Sequence, residues 1–264
     1  MSDDSSNTPP VKTAQTSKHS AWGIPAAVII ALVAMIATQW VAAIVVSLFP
    51  VAAGWDAARA EDWFYNSPAA TFFMVLLFET LAVATVALFV SWRHVSFWVA
   101  TALKRIRWRD WGYAAGGFVV YFAIAAIVLT ILPILVPIDT GQEQNIGFEP
   151  GIGGTALLMA FIGLVVLPPI VEEIVFRGFL FGTLRSHHVH FAWSAIATSL
   201  LFGSLHLMGG VEGGLLWIGL ADTFVLSLVL CYVREATGSL WASIIIHALK
   251  NGLVFLNIFV INAT

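Results

Sequence analysis

The sequence predicts an all-α integral membrane protein, a bundle of seven transmembrane helices with eight as the alternative count, and three observations predict it. Hydrophobic residues make up 59% of the 264 positions and charged residues only 10%, against roughly 45–50% and 25% in soluble domains. The mean hydropathy is +0.91. The apolar residues also fall into runs of the roughly 20 residues needed to cross a bilayer core about 30 Å thick.

Residues 1–20, rich in Ser, Thr, Pro and Lys, read as a disordered cytoplasmic tail. The run from Ala21 to Phe49 exceeds the roughly 7–15 residues of a cleavable signal core and is read as the first span. Uncharged or nearly uncharged runs follow at 69–92, 111–138, 151–184, 191–209, 213–233 and 239–261. The 151–184 run carries Pro168 and Pro169, which remove helix hydrogen bonds and are expected to kink or split it; a split is the source of the eight-span count.

Charge placement sets the expected orientation. Lys12, Lys18, Arg93, Lys104, Arg105, Arg107, Arg109, Arg185 and Arg234 fall in the alternate loops that share a side with the N-terminus. The opposite loops hold Asp56, Glu61, Asp62, Asp139, Glu143, Glu149 and Glu212, with Arg59 as their one basic residue. Basic loops face the cytoplasm, so a cytoplasmic N-terminus is expected. Trp22, Trp55, Trp63, Trp92, Trp108, Trp111 and Trp241 lie near run ends, where amphipathic rings settle in the headgroup layer.

Several function classes drop out at this stage. Cys231 is the single cysteine, so an intrachain disulfide or multi-cysteine metal site is excluded. Gly116-Gly117, Gly209-Gly210 and Gly213-Gly214 precede no Lys-Ser/Thr pair, so no nucleotide loop is read there. No nucleic-acid partner is expected. His187, His188 and His190 sit in a predicted cytoplasmic turn and read as solvated interfacial side chains. The basic segment from Arg93 to Arg109 is suited to enforce orientation and to meet anionic membrane lipid.

Ionisable groups near the bilayer centre cost roughly 2.5–3.5 kcal/mol each on insertion scales and usually carry function. The runs contain Glu79, Glu172, Glu173, Arg177, His206, Asp222, His247 and Lys250, with Asn251 as a polar neighbour. Glu173 and Arg177 are spaced i, i+4 and can pair on one helical face. Glu172 lies about 100° around the helix from Glu173, free to face a cavity. Phe202 with His206, and His247 with Asn251, repeat the four-residue spacing. A carboxylate and an imidazole can hold and deprotonate water, and His and Asn N–H groups can stabilise an oxyanion. Such a centre suits water addition to a peptide carbonyl. Glu79, Asp222 and Lys250 fall outside this pattern, with Glu79 and Lys250 as candidates for an ion pair.

Glu172-Glu173-x-x-x-Arg177, Phe202-x-x-x-His206 and His247-x-x-x-Asn251, in that order on successive apolar helices, resemble the three motifs of the CAAX-processing and bacteriocin-processing (CPBP, or abortive-infection) membrane proteases. The resemblance covers about residues 153 to 260 and includes Gly238-Ser239-Leu240-Trp241. It implies N-terminal transmembrane helices over 21–150 and catalytic helices over 151–264. It further implies Glu172 as the water-activating base, His206 as its assistant, His247 and Asn251 at the oxyanion site, and Glu173 and Arg177 as support. The substrate class it implies is a membrane-associated or prenylated CAAX-like polypeptide, in a bacterial plasma membrane. A metal-free mechanism is favoured; zinc on Glu172, His206 and His247 is the open alternative, since two His and one carboxylate form a known catalytic set. Two rival classes stay open: a proton-coupled carrier using the buried carboxylates, and a catalytically silent immunity or scaffold protein. The hydrolase reading requires Glu172, His206 and His247 to meet around a single water-accessible spot.

Overall fold

The computed structural model describes residues 21–139, 141, 144–208, 210 and 214–261. The expected tail over 1–20 with Lys12 and Lys18, the loop acids Glu143 and Glu212, and Gly209 and Gly213 lie outside the described residues. Among the described residues the regular elements are all helical. Six helices have the length and composition to cross a membrane: Ile24–Ala52 (α1), Pro68–Trp92 (α3), Trp108–Leu135 (α5), Gly154–Ser186 (α6), Trp217–Thr237 (α8) and Trp241–Ile261 (α9). A shorter apolar helix, Phe191–Leu205 (α7), lies between α6 and α8. Ala57–Asn66 (α2) and Phe97–Thr101 (α4) are short connectors. The expected all-α membrane bundle is therefore what the chain forms. Its fifth apolar run is shorter than expected, closing at Leu205 with His206 as the C-cap.

Lipid offers the backbone no hydrogen-bond partner, so each long apolar run satisfies its own amides by coiling. Boundary residues fit this logic. Pro68 opens α3 at its first turn, where its missing N–H costs nothing. The Arg107 backbone N–H, just before α5, donates to Asp110 at 2.7 Å. Gly238 ends α8 with φ +64°, the left-handed geometry glycine adopts most readily.

Pro168 and Pro169 do not split α6. The helix stays continuous because its backbone widens just before them: over Ile162–Val166 it takes π-type turns, with the Leu167 N–H donating to the Ile162 carbonyl. A second π-type stretch covers Glu173–Leu180. The eight-span count rested on a break at these prolines, and the unbroken α6 removes that ground.

Packing places α6 at the centre. Val171, Val175, Phe176 and Phe179 join a buried cluster with Ala27, Ala31 and Ala34 of α1, Ala82 and Val86 of α3, and Phe202 of α7. Small residues permit this close approach, the usual device where helices pack within lipid. A second cluster joins Ala114 and Tyr121 of α5 to Val225, Leu226 and Val229 of α8 and to Ala242 and Ile246 of α9. Outward positions remain apolar: Ile134 is 78% exposed and Leu88 72%, as a lipid-facing surface requires and a water-facing one disfavours.

One end of the bundle is tied by basic side chains. Arg93 donates to the Ala21 carbonyl, Arg107 and Arg109 to the Thr237 carbonyl, and Arg185 pairs with Glu235 at 2.7 Å. The segments grouped by charge in the sequence thus meet at a common end. Burial and the nearby Arg234, Arg107 and Arg109 lower the Lys104 pKa from its ordinary value.

Candidate active site

Three helices supply the site, and each does so for a local reason. On α6, the switch to π-type turns begins at Glu173, directly after Glu172. On α7, Gly203 lets the helix approach α8: a Cβ there would stand 3.1 Å from the Leu220 carbonyl oxygen. That approach sets His206 at the end of α7 beside the cavity. On α9, His247 and Asn251 lie one turn apart.

Glu172, His206, His247 and Asn251 line one cavity of about 140 Å³. The hydrolase reading required this convergence of Glu172, His206 and His247, which lie 34 to 75 positions apart. Glu173 and Arg177 stand behind the cavity wall, both fully buried. Arg177 Nη1 donates to Glu173 Oε1 at 2.9 Å. Its guanidinium carbon also lies 4.5 Å from the centre of the Phe202 ring, a cation–π contact that is strong away from water. Phe202 in turn lies against both imidazoles, tilted to His206 and edge-on to His247, with ring centres 4.7 Å and 5.9 Å away.

Hydrogen bonds assign the imidazole protons. His247 Nδ1 stands 3.2 Å from Glu173 Oε1; a carboxylate engaged by arginine accepts, so Nδ1 carries the hydrogen. His247 Nε2 is then left facing Glu172 Oε2 at 3.6 Å. His206 Nδ1 lies 3.0 Å from the Phe202 carbonyl, which only accepts, so its Nε2 is likewise the open nitrogen. Fixing one ring nitrogen to define the work of the other is the usual way a protein prepares a histidine. Glu172 Oε2 is buried with no hydrogen-bond partner among the described residues.

Asn251 has a second engagement. Its Nδ2 donates to the Leu164 carbonyl on α6 at 2.9 Å.

Residues outside the three motifs also reach the site. Asp222 and Lys250 line the same cavity. Lys250 Nζ is 3.3 Å from Asp222 Oδ2, and the Tyr121 hydroxyl donates to Asp222 Oδ1 at 2.6 Å. Lys250 therefore pairs with Asp222, which corrects the Glu79–Lys250 pair considered from sequence. Glu79 is buried on α3 with Oε2 unpartnered among the described residues. Nothing in the sequence singled out Tyr121; a tyrosine in an apolar run carries no signal until its partner 101 positions away is known.

A second, wider cavity of about 540 Å³ adjoins the first. Glu172 and His206 line it together with Met35, Ile36, Trp40, Met74 and Phe78. Among the described residues no three His, Cys, Asp or Glu side chains stand together as metal ligands.

Fold and site together define a class: a polytopic α-helical membrane protein with a carboxylate and two imidazoles at a cavity inside its bundle. Residues 154–253 match the family described as type II CAAX prenyl endopeptidase Rce1-like. Over that segment the chain is similar to this family, in agreement with the resemblance drawn from its three motifs. UPF0177 protein YxdF of Lactococcus lactis subsp. lactis (strain IL1403) is 26% identical over 150 residues, 56% of this chain and 75% of that protein. No solved structure matches the chain. The match supports protease activity of the CAAX type at this coarse level.

Proposed function

We propose that this protein is an intramembrane endopeptidase that hydrolyses a peptide bond of a membrane-associated or prenylated polypeptide with water activated by Glu172. The observation that carries the reading is the meeting of Glu172, His206 and His247 on one cavity wall inside an apolar bundle. Water held between the Glu172 carboxylate and His206 Nε2 gives its proton to Glu172 as its oxygen attacks the carbonyl carbon. His247, when Nε2 carries a proton, donates to the carbonyl oxygen as negative charge builds there. Glu172 then passes its proton to the amide nitrogen, the C–N bond breaks, and acid and amine leave.

The adjoining apolar cavity supports a lipid-modified or strongly apolar substrate, because it opens onto the same carboxylate. Membrane lipid is the second expected partner. On this reading the basic end of the bundle faces the cytoplasm of a bacterial plasma membrane, as the bias of basic residues to that side requires.

The test is cleavage of a farnesylated CAAX-type reporter peptide by purified protein in detergent micelles. Glu172→Gln is expected to abolish turnover while the protein stays folded, and a chelator such as 1,10-phenanthroline to leave the wild-type rate unchanged. Full turnover by Glu172→Gln removes the mechanism. Loss of activity with the chelator, restored by zinc, replaces it with a metal-dependent one.

A further inference from the structure

The Leu164 carbonyl cannot be satisfied by its own helix. In an α-helix its donor is the amide four residues on, which is Pro168; in a π-type turn it is the amide five residues on, which is Pro169. Neither proline has an N–H. The amide three residues on, Leu167, already donates to Ile162. All three intrahelical routes are closed, so the carbonyl depends on a donor from outside its own helix, and leaving it without one carries a cost. Asn251 Nδ2 occupies the vacant position at 2.9 Å, reaching across from α9.

This bond has consequences for the site because of what flanks it on each helix. Leu164 lies two turns before Glu172, and Asn251 one turn after His247. The two helices are therefore pinned twice: by Asn251 to Leu164, and by His247 Nδ1 to Glu173 at 3.2 Å. Between the two pins lies the approach of His247 Nε2 to Glu172 Oε2 at 3.6 Å. The helices are also in contact at the first pin, since a Cβ on Gly252 would sit 3.6 Å from the Val165 side chain.

We infer that Asn251 is a positioning residue, which sets the Glu172–His247 geometry by completing the carbonyl that the Pro168-Pro169 pair leaves open, rather than a donor reserved for the substrate oxyanion. The inference rests on the proposed hydrolase reading for its kinetic consequence, and on the hydrogen bond alone for its structural one.

The two roles predict opposite behaviour in a double-substitution experiment. Pro168→Ala restores an N–H to the partner position of Leu164, so it removes the need for Asn251. In an otherwise wild-type protein, Asn251→Ala is expected to lower kcat on the farnesylated reporter about a hundredfold with little change in KM, the scale of a displaced catalytic group. In a Pro168→Ala background the same substitution is expected to cost less than about tenfold. An oxyanion donor cannot be replaced by a backbone amide on another helix, so an undiminished penalty in that background overturns the inference.

Thermal unfolding in detergent gives the independent readout. The loss of midpoint on Asn251→Ala should shrink when Pro168 is replaced; additive losses overturn the inference whatever the activity. If the wild-type protein cleaves nothing but the midpoints are coupled, the hydrolase reading fails and the positioning role stands. Pro169→Ala, which supplies the amide five residues on, serves where Pro168→Ala does not fold.

Discussion

His247 and Glu173, 74 positions apart, meet with Nδ1 3.2 Å from Oε1, and both side chains are buried within the bundle. The same Glu173 oxygen accepts from Arg177 at 2.9 Å. One carboxylate oxygen thus anchors an arginine and fixes an imidazole tautomer. The neighbouring Glu172 remains at the cavity. Adjacent glutamates have different environments because the first lines a cavity and the second is sealed behind it.

Glu173→Gln tests that division. The carboxamide can donate to Nδ1 as readily as accept from it, which inverts the His247 tautomer, and it leaves the Arg177 charge without its partner. Turnover of the reporter is expected to fall roughly a thousandfold or more, as when an orienting carboxylate is neutralised in other acid–base sites. KM should change little. Measured kcat and KM for the variant decide the matter, and near-normal kcat shows that the His247 ring is oriented by something else.

The Asp222–Lys250 pair should couple energetically. Each side chain is about a fifth exposed, at 18% and 20%, and Asp222 has its other oxygen engaged by Tyr121. A cycle of Asp222→Asn, Lys250→Met and the double variant, read by unfolding in detergent, is expected to show about 1 kcal/mol of interaction. Glu79→Gln combined with Lys250→Met should show none, since Glu79 and Lys250 are not partners.

Gly178 provides a test of the fold that is independent of activity. A Cβ there would lie 2.7 Å from the Thr101 carbonyl oxygen and 2.9 Å from its Cα, both backbone atoms of α4 that cannot swing aside. Alanine favours a helix interior over glycine by about 1 kcal/mol, so an uncrowded site would gain stability from Gly178→Ala. The expected result is a loss of roughly 1–3 kcal/mol from overpacking, seen as a lower unfolding midpoint. A raised midpoint shows that α4 does not rest on α6.

Much of this was legible in the sequence for physical reasons that are local. Lipid forces each apolar run to satisfy its own backbone, so run length alone predicts helices, and the expected ends of α3, α6 and α9 fall within a few residues of those found. The cost of charge in a membrane picks out Glu172, Glu173, Arg177, His206 and His247 without any coordinates. Helical spacing pairs Glu173 with Arg177, and the structure contains that pair. The same reasoning left α6 open between one kinked helix and two, because the loss of two amide hydrogens at Pro168 and Pro169 can be absorbed by π-type turns or by a break, and the choice depends on what packs alongside.

By itself, then, the sequence determined the solvent, the helices and which polar side chains had to be explained, since each follows from residues no more than a few turns apart. Only the tertiary structure decided their long-range partners: Asp222 for Lys250, Leu164 for Asn251, and Glu173 for His247. Those choices depend on how helices distant in the chain rotate and approach one another. Small-residue contacts and buried hydrogen bonds across the bundle set that arrangement, and no local pattern encodes it.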